Sequence, residues 1–219
     1  MKHLIKLFGL LILFTACEPT KDKVLFDNPQ PEGVKNLTQL PVFYRGQYLD
    51  KDSNLMTIDS KNIIVKSFYD LKFSKQEIDS SGSFYIKNHF LIEKRTKDKF
   101  PVRFLNDSVF ARSYQTDTIF KLSNDNIARK FKGHLILNYK HDDAWTVEIL
   151  SRNWWVLKYQ IFNSKDLFDK LSTISDSEVF TDSTKKVTVK RILKPTKRQF
   201  EKILSQRDSL TIDVYKKIK

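Results

Sequence analysis

Cysteine occurs once in 219 residues, at position 17, which excludes an intrachain disulfide, a thiolate-rich metal site and a two-cysteine redox motif. Five glycines leave no phosphate-cradling glycine loop, and neither G-x-S-x-G nor H-E-x-x-H is present. Long apolar runs are missing too: the one over residues 7–14 falls well short of the ~20 residues that a membrane-spanning helix needs. Acidic residues are outnumbered, 26 against 39 Lys and Arg, for a formal net charge of +13. Aromatic residues are plentiful, with seventeen Phe, eight Tyr and three Trp. A chain of about 200 residues can bury a core from these without covalent staples.

The single cysteine has a context. Lys2, His3 and Lys6 precede the apolar run, and the small residues Thr15 and Ala16 stand just before Cys17. A charged head, a short apolar segment and small residues predict a signal peptide over 1–16. The quartet FTAC at 14–17 resembles the lipobox of bacterial lipoproteins, in which a peptidase cuts immediately before a cysteine that has received a diacylglyceryl group. The resemblance implies that Cys17 is lipidated and that two or three acyl chains anchor the chain, whereas one chain alone binds a membrane only marginally. Glu18 follows, not the Asp that retains some lipoproteins in the inner membrane, so outer-membrane delivery is expected.

Residues 18–41 contain Pro19, Pro29, Pro31, Gly33 and Pro41, which predicts an extended tether over 17–41. From residue 42 the pattern becomes short Val, Ile, Phe, Tyr, Trp and Thr segments split by polar punctuation such as DKDSN (50–54), DSSGS (79–83) and KHDD (140–143). That spacing predicts one mainly β domain over 42–219, an antiparallel meander forming an open or closed barrel or a sandwich. Period-two spacing puts Ile63, Val65, Tyr69, Leu71 and Phe73 on one face and groups Phe84, Ile86, Phe90 and Ile92, Phe131, Leu135, Leu137 and Tyr139, and Trp155, Leu157, Tyr159 and Ile161 likewise. Two short helices are expected in the C-terminal third, at 164–172 behind a Ser164 cap and at 195–207 with Thr196 and Gln199 at capping-box spacing, then a strand at 210–215. TIDSKNIIV at 57–65 aligns without gaps on EILSRNWWV at 148–156, which either a duplicated half-domain or biased composition explains.

Loss of residues 1–16 lowers the net charge to +11, and 184–219 alone carry twelve Lys and Arg against three acids, a net of +9. Such a block is either a solvated face or, through Lys185, Lys186, Lys190 and Lys194, a contact for anionic headgroups or an acidic envelope partner. No nucleic-acid partner is expected of an exported chain without a reading motif. His141, Asp142 and Asp143 form the only tight His and carboxylate cluster, where the turn preference of Asp outweighs a metal site. His89 and His134 are expected on the wet faces of strands. In a strand Trp154 and Trp155 must point to opposite faces. That predicts a buried Trp155 and an outward Trp154 beside Arg152 and Lys158, a candidate contact for a sugar, lipid or protein.

Gly46-Gln47-Tyr48 resembles the G-x-W signature of lipocalins, which would imply a carrier of apolar small molecules inside a barrel. No motif marks a catalytic, metal or cofactor site. The sequence is read as a membrane-anchored envelope lipoprotein with a non-catalytic binding or structural β domain. The alternatives are a lipocalin-like carrier and an envelope hydrolase whose site is assembled from scattered residues.

Overall fold

The computed structural model describes residues 24–182, 187–206 and 210–218; the expected signal peptide over 1–16, Cys17, Lys185 and Lys186 lie outside them. The protein is mainly β, with two helices in its C-terminal part and a third near residue 78. Two compact units are present, one drawn from 24–33, 140–147 and 161–211, the other from Val34–Tyr139, Glu148–Gln160 and 212–218.

In the smaller unit the strand order is β13 (Asp176–Asp182), β14 (Val187–Lys194), β1 (Val24–Phe26), β11 (Ala144–Arg152). Strand β1 pairs in parallel with β14, Val24 opposite Arg191 and Phe26 opposite Leu193, and antiparallel with β11. Three successive apolar residues suit a strand buried on both faces. Phe26 packs edge-on against Phe162 and Phe200, at ring separations of 5.4 and 6.1 Å, while Leu25 joins Ala144 and Ile192 on the opposite side. Helix α2 (Lys165–Leu171) begins where Ser164 Oγ accepts the Leu167 amide, and it buries Leu167, Phe168 and Leu171. Helix α3 (Lys197–Ser205) carries the Thr196–Gln199 capping box and buries Phe200, Ile203 and Leu204.

The tether expectation is therefore corrected from residue 24 onward. Val24 and Phe26 are fully buried, and so are Gln30 and Leu40. The prolines fix φ locally but do nothing to stop the Val-Leu-Phe run from entering a sheet.

The larger unit follows one path: β9 (Asn126–Phe131), β10 (His134–His141), β11, β12 (Val156–Ile161), β15 (Thr211–Lys217), β2 (Gly46–Leu49), β3 (Leu55–Ile58), β4 (Asn62–Ser74), β8 (Ser108–Lys121), β7 (Lys99–Leu105), β6 (Phe90–Glu93), β5 (Phe84–Lys87). Met56, Ile63 and Phe120 share a core with Ala128, Leu135 and Leu137, so the sheet curls until its β9 end and its β4 region meet. No ladder joins β9 to β4 or β8 among the described residues, and the roll stays open. Tyr44, Tyr48 and Phe120 help fill its interior.

Strands β4 and β8 then run on together, paired from Asn62 opposite Lys121 to Ser74 opposite Ser108. Their far ends join β7, β6 and β5 over a second, smaller core of Ile78, Leu91, Val109 and Ala111. The single face expected for β4 is thus shared between two cores. Ile63 and Val65 belong to the first and Phe73 to the second, with Tyr69 and Leu71 exposed between them.

Helix α1 (Lys75–Ser81) covers the second core with Ile78, and it was not expected from sequence. Ser74 Oγ accepts the Glu77 amide while Glu77 reaches back to the Ser74 amide, and Gly82, at φ 67°, ends the helix left-handed. The grouping of Phe84 and Ile86 with Phe90 and Ile92 is corrected as well. Asn88 and His89 both hold positive φ in a two-residue turn, so Ile86 lies opposite Leu91, and Phe90 and Ile92 fall on the other face. His89 sits in that turn instead of a strand.

The sequence echo has no structural counterpart. Its first copy turns at 59–61 and its second at 153–155, three places later in the alignment.

Candidate functional site

An apolar end of the larger unit is built from two short turns. Pro41 starts a 3₁₀ turn over Val42–Tyr44 that leaves Val42 75% and Phe43 45% exposed while Tyr44 is buried. The second is the β11–β12 turn. Asn153 Oδ1 accepts the amides of Trp155 and Val156, an Asx turn that takes residues 153–155 out of the strands. Strand alternation accordingly does not apply at the tryptophan pair, and the expectation of a buried Trp155 is overturned: Trp154 is 79% and Trp155 58% exposed. Their main chain is tied down nonetheless, Lys217 donating its amide to the Trp155 carbonyl.

Arg152 joins the two turns. Its guanidinium donates to the Trp154 carbonyl at 3.2 Å and lies 4.4 Å from the Phe43 ring centroid and 5.7 Å from that of Tyr48. Beneath it, Tyr48 donates to the Tyr44 carbonyl at 2.6 Å, and Tyr44 to the carbonyls of Gly133 and Leu150 at 2.7 and 3.2 Å. Burial pushes the Tyr44 hydroxyl up to about 12 and raises that of Tyr48. Four exposed apolar side chains therefore stand on a fixed base. Sequence reasoning found Trp154 and Arg152 but missed Val42, Phe43 and Trp155. Lys158 is exposed on β12, and no contact places it with the turn.

Neither protein-family models, nor curated proteins, nor solved structures give a match to this chain. The site must be read from its own geometry.

Three other clusters carry polar chemistry. Glu148 accepts the hydroxyls of Tyr139 and Tyr159, and burial holds both phenols well above their ordinary range, the carboxylate charge adding to the effect. With the Phe120 ring 5.3 Å from that of Tyr139, this is a polar knot set in the core. His134 Nδ1 lies 2.7 Å from Ser151 Oγ, a spacing that suits an activated nucleophile. Ser151 Oγ also lies 3.3 Å from the side-chain oxygen of the buried Gln160, so the hydroxyl is held between an imidazole and an amide. His141, Asp142 and Asp143 lie at the β10–β11 hairpin turn, and Asp143 is paired with Lys190, which holds its carboxyl below the usual range.

Of the basic block, Lys190 pairs with Asp143 and Lys194 with Glu178. Neither presents an uncommitted ammonium to an anionic surface.

Proposed function

We propose that this protein is a lipoprotein of the bacterial cell envelope, anchored in the outer membrane through acylated Cys17, whose β domain binds a partner and catalyses nothing. The observation that carries the binding role is the fixed apolar end. Val42, Phe43, Trp154 and Trp155 remain in water on a braced backbone, an arrangement suited to docking and costly to leave idle. Two observations favour it over the alternatives. A carrier needs a hollow roll, and here Tyr44, Tyr48 and Phe120 occupy the interior. A hydrolase needs its nucleophile open to a substrate, and Ser151 is half-buried on β11 with its hydroxyl held between His134 and the buried Gln160.

Two experiments test the reading. Metabolic labelling with a palmitate analogue should mark the wild-type chain and not Cys17→Ala; a labelled and processed Cys17→Ala chain overturns the anchor. A secreted Cys17→Ser chain should co-sediment with envelope membranes and should lose that association in the Trp154→Ala/Trp155→Ala double variant. Equal sedimentation of both overturns the role of the apolar end.

A further inference from the structure

The five strands β5, β6, β7, β8 and β4 have one face packed on the second core under α1 and the opposite face open. Register fixes what the open face carries. Phe68 lies opposite Tyr114, Asp70 opposite Arg112, Lys72 opposite Phe110, and Phe110 opposite Arg103. Across β7 and β6, Lys99 lies opposite Ile92, Ile92 opposite Tyr85, and Phe90 opposite Lys87. With Lys66 on the same side of β4, six cations share the face: Lys66, Lys72, Lys87, Lys99, Arg103 and Arg112. The one carboxylate among them is Asp70, which meets Arg103 Nη2 at 3.3 Å and Arg112 Nε at 3.2 Å. Those two arginine side chains are still 64% and 59% exposed. At strand spacings of about 4.8 Å and about 3.3 Å per residue, the face measures roughly 20 by 20 Å.

Aromatic rings back the cations. Lys66 Nζ sits 3.5 Å from the Tyr114 centroid and 5.3 Å from that of Phe68, and the Arg103 guanidinium 4.5 Å from that of Phe110. Beyond β7 the face dips into a concavity of about 370 Å³ lined by Tyr85, Lys87, Phe90, Ile92 and Lys99 among others.

We propose that this face binds an acidic polysaccharide, a linear glycan bearing carboxylate or phosphate groups. Charge complementarity selects an anion, since six cations face a single acid and rings lie against four of them, Lys66, Lys72, Arg103 and Arg112. The same cations cover ring faces that nucleobases would need for stacking, which disfavours single-stranded nucleic acid. A recess the size of a small ring system favours a discrete polymer unit over the plane of a bilayer. The choice of glycan among polyanions rests on the envelope reading, whereas the cationic face does not.

The test uses the Cys17→Ser chain, which carries no acyl anchor, titrated without detergent with polygalacturonate, dextran, poly(dT) and phosphatidylglycerol vesicles over a salt series. Polygalacturonate should bind most tightly, dextran should not bind, and affinity should fall with salt. Lys66→Gln/Lys72→Gln/Arg103→Gln/Arg112→Gln should weaken binding about tenfold or more, while Lys190→Gln/Lys194→Gln should leave it unchanged. Asp70→Asn should tighten binding by releasing Arg103 and Arg112, a gain that misfolding does not imitate. Unchanged binding in the quadruple variant, weaker binding in Asp70→Asn, or tighter binding of poly(dT) or vesicles than of polygalacturonate overturns the proposal. None of these results bears on acylation of Cys17 or on the tryptophan pair, so the two readings fail separately.

Discussion

Trp154 and Trp155 illustrate how one polar side chain redirects its neighbours. Asn153 accepts two successive amides and takes the pair out of the ladder, so an aromatic dipeptide that alternation would split between core and solvent ends up wet on both sides. Removing either ring should hardly matter for folding. Trp154→Ala is expected to change unfolding free energy by less than about 0.5 kcal/mol and Trp155→Ala by less than about 1 kcal/mol, as read from urea denaturation. Glu148 is the opposite case. Glu148→Ala strands two buried phenol donors and should cost about 2 to 4 kcal/mol, more than Tyr159→Phe, which removes one of the two donors. Nothing in the local sequence announces this knot, because its members come from three strands. Arg152 was legible only as a charge beside a tryptophan; its seat on Phe43 depends on a contact across more than a hundred residues.

Elements were legible where their signals were local. Ser164 and Thr196 cap the two C-terminal helices as their spacing predicts, and the period-two runs at Leu135–Leu137 and after Val156 are strands. Helix α1 had the same signature, Ser74 followed three residues later by Glu77 and closed by Gly82, but it is only seven residues long and lies in a polar stretch that also reads as a loop. Ser74→Ala should cost about 1 kcal/mol and should loosen the second core first. Hydrogen exchange should report it as faster exchange at Ile78 and Leu91 with little change at Leu135 or Leu157. Strand β1 was hidden for a different reason. Its three apolar residues sit among prolines, and its partners Arg191–Leu193 lie more than 160 residues away, beyond any pattern a window can detect.

Over the whole molecule, charge and tyrosine chemistry dominate the response to solvent. The excess of positive charge counted at the C-terminus is partly neutralised there by Asp143 and Glu178, while the barely noticed run from Lys66 to Arg112 carries an open cationic face. Sequence totals cannot separate the two, because pairing across strands decides which charges remain available. Tyr44, Tyr139, Tyr159 and Tyr215 all have hydroxyl pKa values raised above the ordinary 10, chiefly by burial, and those of Tyr44 and Tyr215 reach about 12. A raised folded pKa leaves stability whole below the unfolded value and erodes it as pH climbs past that value. Unfolding free energy should thus be flat up to about pH 9.5 and then fall by up to about 1.4 kcal/mol per pH unit for each such tyrosine. Tyrosinate absorbance should rise together with loss of the β-sheet circular dichroism signal; ionisation of all eight tyrosines before any unfolding would contradict it.

The parallel pairing of β1 with β14 also has a mechanical side. With the anchor at Cys17 as proposed, only residues 18–23 separate the acyl chains from Val24, a leash of at most about 25 Å. The domain then rides close to its membrane, and any tug on it enters at a strand clasped by neighbours on both sides, where Asp27 donates to the Leu193 carbonyl and Phe26 lies opposite Trp145. A pull directed along β1 loads those bonds in shear, all at once, instead of peeling them one by one. The mooring point is therefore among the hardest places in the smaller unit to tear loose.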